Sequence, residues 1–273
     1  MNNIKEVKRL INEYDAIVIG AGAGLSTAAG FIYGGDYFLE NFPEMHQKYG
    51  YTDMYTAGFH HFLTSEEKWG YWSKFIYLQR YKEGAKPLYK KLYELVKDKD
   101  YFVITTNVDH QFQLSGFDKN RLFYTQGDYG LFQCSKPCHK KTYDNEEQVL
   151  EMVRLQKHGL IPSTLIPVCP VCGEEMTTNL RSDDTFVEDE GWHKASLRYE
   201  KFLNEHKDKK ILFLELGVGW MTPGIIKAPF IQMTYQFKDA FYICLNKGQN
   251  YIPKEIENKS IVLDEDINNL FDA

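Results

Sequence analysis

Residues 16–30 read AIVIGAGAGLSTAAG, and two properties of this stretch decide the fold. AIVIG is a short run without a polar residue, the pattern of a strand buried on both faces in a parallel sheet. The glycines after it let the backbone turn tightly at the strand end and approach a phosphate closely, with the next helix's free N–H groups offered to the anion. Small residues here also suit a plain turn or a helix packed tightly on the sheet, so the run alone leaves that alternative open. The ordinary dinucleotide fingerprint fails on count. A GxGxxG frame begun at Gly20 puts Leu25 in the third position, and one begun at Gly22 puts Thr27 there. What fits instead is Gly22-Ala23-Gly24-Leu25-Ser26, closed by Gly30.

Working outward, KEVKRLINEY spaces Val7, Leu10, Ile11 and Tyr14 as a helix before the strand. The alternation then returns three times. PLYKKLYELVKDKD leads into YFVITTN, the helical stretch around SLRYEKFLNEHKDKK into ILFLELG, and the segment around IQMTYQFKD into AFYICLN. This predicts an α/β fold, a Rossmann-like parallel sheet with helices on both faces. KDKD and HKDKK read as solvated helix ends.

Two stretches interrupt the alternation. Residues 36–89 are aromatic-rich with a helical look and are predicted to be a helical insertion; His60 and His61 within it read as ordinary histidines, with ligation the alternative. The cysteines predict a small zinc-binding module over residues 131–181. Three residues separate Cys134 from Cys138 and two separate Cys169 from Cys172. Four thiolates complete a closed tetrahedral Zn²⁺ site with no open position, which makes such a site structural. Unligated thiols, or His139 in place of Cys138, are the alternatives. NEEQVLEMVRLQK between the pairs reads as a helix, and Cys244 as a small buried apolar residue in a strand. The sheet domain then comprises residues 1–35, 90–130 and 182–273.

Composition narrows the partners. Of 273 residues, 43% are hydrophobic and 26% charged, the balance of a globular protein, and the formal charge of −6 argues against nucleic acid or an anionic membrane as main partner. No apolar stretch reaches the roughly 18 residues of a spanning helix. MNNIKEVKRLINEYDAIVIG mixes acidic residues among its lysines and has no apolar h-region, unlike a signal peptide. The expectation is a cytoplasmic protein.

GAGLSTAAG resembles the NAD-binding signature of the sirtuins, and the resemblance continues in order along nearly the whole chain. Thr105-Thr106-Asn107-Val108-Asp109 is similar to the family's TQN-(I/V)-D segment. Gln126-Gly127, after the strand LFYT, stands where sirtuins carry His-Gly with the catalytic base. The two cysteine pairs follow. ELGVGWMTPG resembles the loop that holds the adenosine part of NAD, and CLN ends at the asparagine expected near its ribose. The resemblance implies NAD as co-substrate and a structural Zn²⁺. It implies NAD contacts from Ala21, Gly22, Ala23, Gly24, Leu25, Ser26, Gly35, Phe38, Thr106, Gly217, Val218, Gly219, Asn246 and Asp264. It also implies catalytic roles for Asn107, which would hold the nicotinamide-side ribose, Asp109, which would bind the nicotinamide amide or orient water, and Gln126. Taken without the family, Asn107 is a turn or cap residue, Asp109 an N-cap and Gln126 a loop residue.

The departures from the family carry more information. Sirtuin deacylases follow the first glycine loop with Ile-Pro-Asp-Phe-Arg, whereas Gly30 here precedes Phe31-Ile32-Tyr33-Gly34-Gly35; Asp36, Tyr37 and Phe38 could substitute for part of the missing group. Where deacylases carry the Phe-Gly-Glu that clamps the acyl-lysine peptide as an added strand, this chain has Phe186-Val187-Glu188. The base itself is Gln126. Cleavage of the nicotinamide–ribose bond needs positioning and electrostatic support more than a strong base. Deacylation also requires a ribose hydroxyl to be deprotonated, which glutamine, lacking a titrating nitrogen, cannot do. These features resemble the microbial class M sirtuins, and the resemblance implies protein ADP-ribosyl transfer to a lipoyl-carrying relative of the glycine cleavage H protein. A lysine deacylase using another base, an NAD sensor and an NAD hydrolase are the alternatives.

Overall fold

The computed structural model describes residues 2–248 and 250–272. Nine strands form among them: β1 (Ala16–Ala21), β2 (Tyr101–Thr105), β3 (Leu122–Tyr124), β4 (Gly127–Cys134), β5 (Tyr143–Asp144), β6 (Met176–Leu180), β7 (Ile211–Leu216), β8 (Ala240–Leu245) and β9 (Ser260–Leu263). The chain folds into two compact units. The first comprises Met1–Gly30, Ala85–Gln126 and Glu190–Ala273, the second Phe31–Gly84 and Gly127–Asp189.

The first unit is built on a six-stranded parallel sheet in the order β3-β2-β1-β7-β8-β9. All six residues of β1 and of β7 are buried, as the unbroken apolar runs require. Ile17, Ile19 and Ala21 pack to one side with Val7, Leu10 and Ile11 of the helix Asn2–Glu13 and Leu88, Tyr89 and Leu92 of the helix Pro87–Val96. Ala16 and Val18 pack to the other, with Ala195 and Phe202 of the helix Glu190–His206 and Phe230 of the helix Lys227–Gln236. The period of two along β1 therefore assigns its residues to two separate cores. β9 was not expected from sequence: SIVL is short, and three of its four residues are half-buried.

Strand order reverses between β1 and β7, so the chain leaves their carboxyl ends in opposite directions and opens the crevice where such sheets bind ligands. Backbone meets backbone there. The Gly24 N–H donates to the Gly217 carbonyl at 2.9 Å, and the Gly22 N–H to that of Leu216 at 3.1 Å. A Cβ on Gly24 would lie 2.7 Å from the Gly217 Cα. Gly217 has φ +63°, and a Cβ on it would lie 2.4 Å from the Leu25 nitrogen. No side chain fits this seam.

The second unit contains a three-stranded antiparallel sheet, β5-β4-β6, which the sequence pattern did not suggest, and helices at Asp36–Asn41, Pro43–Tyr49, Met54–Gly58, Ser65–Ile76 and Glu146–Leu155. Residues 36–84 of the expected insertion and the cysteine module, distinct in the sequence, share a core here, while residues 85–89 belong to the first unit. Trp69 of the helix Ser65–Ile76 packs edge-on against Phe132 of β4, ring centroids 4.9 Å apart, in a cluster with Val149, Met152, Cys134 and Cys169. The Trp69 indole donates to Glu175 at 2.9 Å, and Lys68 bonds the same carboxylate at 2.8 Å. No helix among the described residues is long and apolar enough to cross a membrane.

Gly217→Ala tests the seam. A left-handed alanine costs about 1–2 kcal/mol before the clash with Leu25 is counted. The unfolding midpoint should fall by at least several degrees, at about 2–4 °C per kcal/mol; an unchanged thermal melt would contradict the close contact.

Candidate active site and metal centre

A polar network lies beneath the first glycine loop, and all of it belongs to the first unit. Ser26, on the short helix Ala23–Ala28, is buried, and its hydroxyl donates to Asp109 at 2.5 Å. The second Asp109 oxygen accepts from the Gln111 N–H at 3.1 Å. The Asn107 amide nitrogen donates to the Gly22 carbonyl at 2.9 Å, which ties the end of β2 to the loop after β1. Thr106 makes the same tie through its backbone, bonding the Ala21 carbonyl at 3.0 Å. At the centre stands the Tyr89 hydroxyl, 3.2 Å from the Asn107 amide, 3.3 Å from Ser26 and 3.4 Å from Asp109. Buried polar groups are costly unless bonded, and this network satisfies several at once.

Tyr89 was missed in the sequence, where it reads as one more apolar residue on the buried face of PLYKKLYELV. Only its hydroxyl distinguishes it from the leucines beside it. Among the predicted contacts, Leu25 is fully buried with its N–H bonded to the Gly22 carbonyl at 2.9 Å, while Ala23 is exposed.

Gln126 sits two residues beyond β3 as Asn107 sits two residues beyond β2, and the register pairs Thr105 with Tyr124. Both residues thus emerge from adjacent strands at the carboxyl edge of the sheet. The turn is fixed by Thr125, whose N–H and hydroxyl both donate to the Thr105 carbonyl, at 2.9 and 3.1 Å. The half-buried Gln126 side chain makes no hydrogen bond among the described residues.

Across the crevice, the Asn246 amide donates to the Val218 carbonyl at 2.8 Å and the Gly217 N–H bonds Leu245 at 3.0 Å. Gly219 follows in the same loop. Asp264, just past β9, accepts from the Gly248 N–H at 2.7 Å. The sequence-predicted residues of the first unit are therefore gathered at the carboxyl ends of β1, β2, β3, β7, β8 and β9.

Gly35 and Phe38 belong to the second unit. Gly35 starts the helix Asp36–Asn41 with φ +63°, while the Phe38 ring is fully buried and stacked on Phe42 at 5.3 Å, where it serves packing. Also in this unit, both backbone groups of Val187 are taken. Its N–H donates to the Gln133 side-chain oxygen at 2.9 Å, and its carbonyl accepts from Asn179 at 3.1 Å. Asn179 in turn donates to Gln133 at 2.7 Å. A cavity of about 370 Å³, bordered by Phe42, Tyr71, Lys74 and Gly159, is lined by none of the predicted residues.

The four cysteines converge. Their sulfurs all lie within 4.8 Å of one another, with Cys134 3.5 Å from Cys172 and Cys138 3.6 Å from Cys169. A tetrahedron of Zn–S bonds of about 2.3 Å has edges of roughly 3.8 Å, so the cluster fits a structural Zn²⁺. Cys134 and Cys169 are buried while Cys138 and Cys172 are exposed. His139, 3.0 Å from the Cys138 sulfur, bonds the Tyr143 hydroxyl at 2.8 Å through its other nitrogen. Cys244 is buried in β8, as expected.

No family model matches the chain. Sir2Tm bound to a propionylated peptide superposes with a TM-score of 0.62 at 18% identity, covering 97% of this chain and 94% of its own. Sir2 with a p53 peptide and NAD⁺ gives 0.58 at 18% identity over the same shares. The fold is that of the sirtuins. A Staphylococcus aureus (strain Mu50 / ATCC 700699) protein described as a protein ADP-ribosyltransferase is 41% identical over 265 residues, 97% of this chain and 84% of its own. A Fusarium oxysporum f. sp. cubense protein described as a probable bifunctional ADP-ribose hydrolase/ADP-ribosyltransferase is 32% identical over 231 residues, 80% of this chain and 38% of the fungal one. The chain belongs to the sirtuin family, among its NAD-dependent protein ADP-ribosyltransferases.

Two outcomes follow from this geometry. Tyr89→Phe leaves Ser26, Asn107 and Asp109 without a shared partner; at about 1–3 kcal/mol for unmet buried groups, turnover of NAD should fall roughly tenfold while the chain stays folded by circular dichroism. Metal analysis should find Zn²⁺ equimolar with the protein, and Cys169→Ala should abolish retention of the metal and lower the unfolding midpoint. Wild-type protein free of zinc after expression in zinc-replete medium would refute the metal assignment.

Proposed function

We propose that the protein transfers ADP-ribose from NAD to a lipoyl-carrying protein related to the glycine cleavage H protein, with release of nicotinamide. The observation that carries the transfer reading is Gln126 at the carboxyl edge of the sheet, two residues beyond β3. The lipoylated acceptor rests on the likeness to class M sirtuins.

In the proposed reaction the bond between ribose C1′ and nicotinamide breaks with its electron pair leaving on nicotinamide. A nucleophile of the acceptor attacks C1′, and its proton goes to solvent. Asn107 has its amide nitrogen committed to Gly22 and Tyr89, so its oxygen remains to accept from a ribose hydroxyl. Gln126 can both donate to and accept from such a hydroxyl while adding no charge. Asp109, held by Ser26, Tyr89 and Gln111, anchors the loop and faces the nicotinamide end. Val218, Gly219, Asn246 and Asp264 take the adenosine half, and the exposed Ala23 between the two bonded glycines leaves room for the pyrophosphate.

A second observation supports transfer over lysine deacylation. Val187 stands where deacylases use a backbone strand to pair with an acyl-lysine peptide, and strand addition needs free N–H and C=O groups. Here both are bonded to Gln133 and Asn179.

Radiolabelled NAD should label a lipoylated carrier but not its unlipoylated form. Asn107→Ala should lower labelling by about 10²-fold or more, the scale on which a positioning error affects a reaction. Gln126→His should not create lysine deacylation, because the Val187 backbone stays occupied. Equal labelling of both carriers would remove the lipoyl requirement, and sirtuin-like deacylation by the wild type would overturn the transfer reading.

A further inference from the structure

The sheet order predicts which way round a dinucleotide lies. Asn107 and Gln126 follow β2 and β3 on one side of the crevice, so the adenine end falls on the side of β7 and β8. From β2 to β8 is three strand spacings, roughly 14 Å, a distance that an extended dinucleotide spans. The loops leaving β7 and β8 carry apolar side chains that a folded core does not bury: Trp220 is 43% exposed, Met221 84% and Tyr251 66%. Trp220 and Tyr251 meet across the two loops, ring centroids 6.3 Å apart and planes inclined by 48°. Exposed aromatic rings in adjacent loops form a surface suited to a flat π system.

Trp220 is also held from below. Lys227 and Glu215 are both fully buried and form an ion pair. The Tyr242 hydroxyl donates to the other Glu215 oxygen at 2.5 Å, and the Cys244 sulfur lies 3.4 Å from Glu215 and 3.9 Å from Lys227. Burial, with Glu215 beside it, pushes the Cys244 thiol up to about 12, so it stays neutral. The Lys227 ammonium sits 5.3 Å from the Trp220 ring centroid, within cation–π range. Glu215 lies two residues before Gly217. The pair therefore joins β7, the helix Lys227–Gln236 and Trp220 at one point.

We infer that Trp220 and Tyr251 form a purine-stacking wall for the adenine of NAD, and that the buried Lys227–Glu215 pair is the strut that sets the plane of Trp220. This rests on the reading of NAD as the donor. Stacking makes the wall a determinant of base binding, while the chemistry at Asn107 and Gln126 is remote from it. Lys227 and Glu215 act through Trp220 and are positioning residues.

Adenine-containing and adenine-free halves of the donor separate the possibilities. ADP-ribose and AMP should quench tryptophan fluorescence in the wild type, and nicotinamide mononucleotide should not. Trp220→Ala should weaken ADP-ribose binding about tenfold or more, the range for loss of one base–aromatic stack, with binding of nicotinamide mononucleotide unchanged. Trp220→Phe should retain most of the affinity but lose the quench. The triple variant Lys227→Met/Glu215→Leu/Tyr242→Phe removes both charges together with the buried hydroxyl that donates to Glu215; it should stay folded yet bind ADP-ribose several-fold more weakly. Wild-type ADP-ribose affinity in both Trp220→Ala and Tyr251→Ala would overturn the wall, as would equal losses for the two half-ligands. Unchanged affinity in the triple variant would overturn the strut. If the wild type bound neither ADP-ribose nor NAD, the wall and the donor reading would fall together.

Discussion

The site depends on two backbones approaching without side chains between them. Where β1 and β7 diverge, Gly24 donates to the Gly217 carbonyl and the Cβ positions of both residues are occupied by main-chain atoms of the other loop. Hydrogen-bonded contact of this kind holds the two loops together, and two of the groups proposed to hold NAD are braced directly on them. Asn107 is tied to the Gly22 carbonyl and Asn246 to that of Val218. Each asparagine thus uses its amide donor to brace a glycine loop. The same residue type serves both halves of the crevice for one reason: an amide carries a donor and an acceptor, so it can brace and bind at once.

Behind each loop lies a polar cluster, and the two differ in kind. Under the first loop, Ser26, Tyr89, Asn107 and Asp109 share hydrogen bonds around one phenol. Under the second, Glu215 and Lys227 form a fully buried ion pair in a core that includes Phe213, Phe230 and Tyr242. Burying such a pair gives little net stability, and replacement by apolar side chains is often neutral. Fixed orientation of what the pair touches is the more economical account of its presence beneath the Gly217–Trp220 loop.

The sequence made the parallel sheet legible because strands buried on both faces must be continuously apolar and because the intervening helices repeat at their own period. Five of the six strands carried that signal. β9 did not, since an edge strand covered on one side needs no long apolar run. The antiparallel sheet β5-β4-β6 was hidden for a related reason: β4 carries Gly127, Asp128 and Gly130, and polar or glycine residues disguise a strand whose register is set by bonds to β6. The cysteine spacing was read correctly because thiolate chemistry is local. Tyr89, Lys227 and Glu215 were not visible, as their importance arises from neighbours 7 to 63 residues away, and sequence distance conceals such meetings. Phe38 was read from its position in a family motif, whereas its ring completes a core with Phe42 and Tyr71.

Gln126 alone would be open to two explanations, a redirected enzyme or a decayed one. Decay relaxes whatever no longer contributes, and it would leave Asn107 and Asp109 without their supports. Both keep several hydrogen bonds, made to partners that lie 18 to 85 residues away. The region that deacylases open to a peptide strand is closed by a specific arrangement, Gln133 and Asn179 satisfying both groups of Val187, which random loss does not build. Gln126 offers no titrating base and Val187 is bonded on both sides, yet the network around Asn107 and Asp109 is intact. That combination supports the proposed transfer at C1′ over deacylation, as expected of an enzyme whose proposed chemistry ends when the acceptor has captured ADP-ribose.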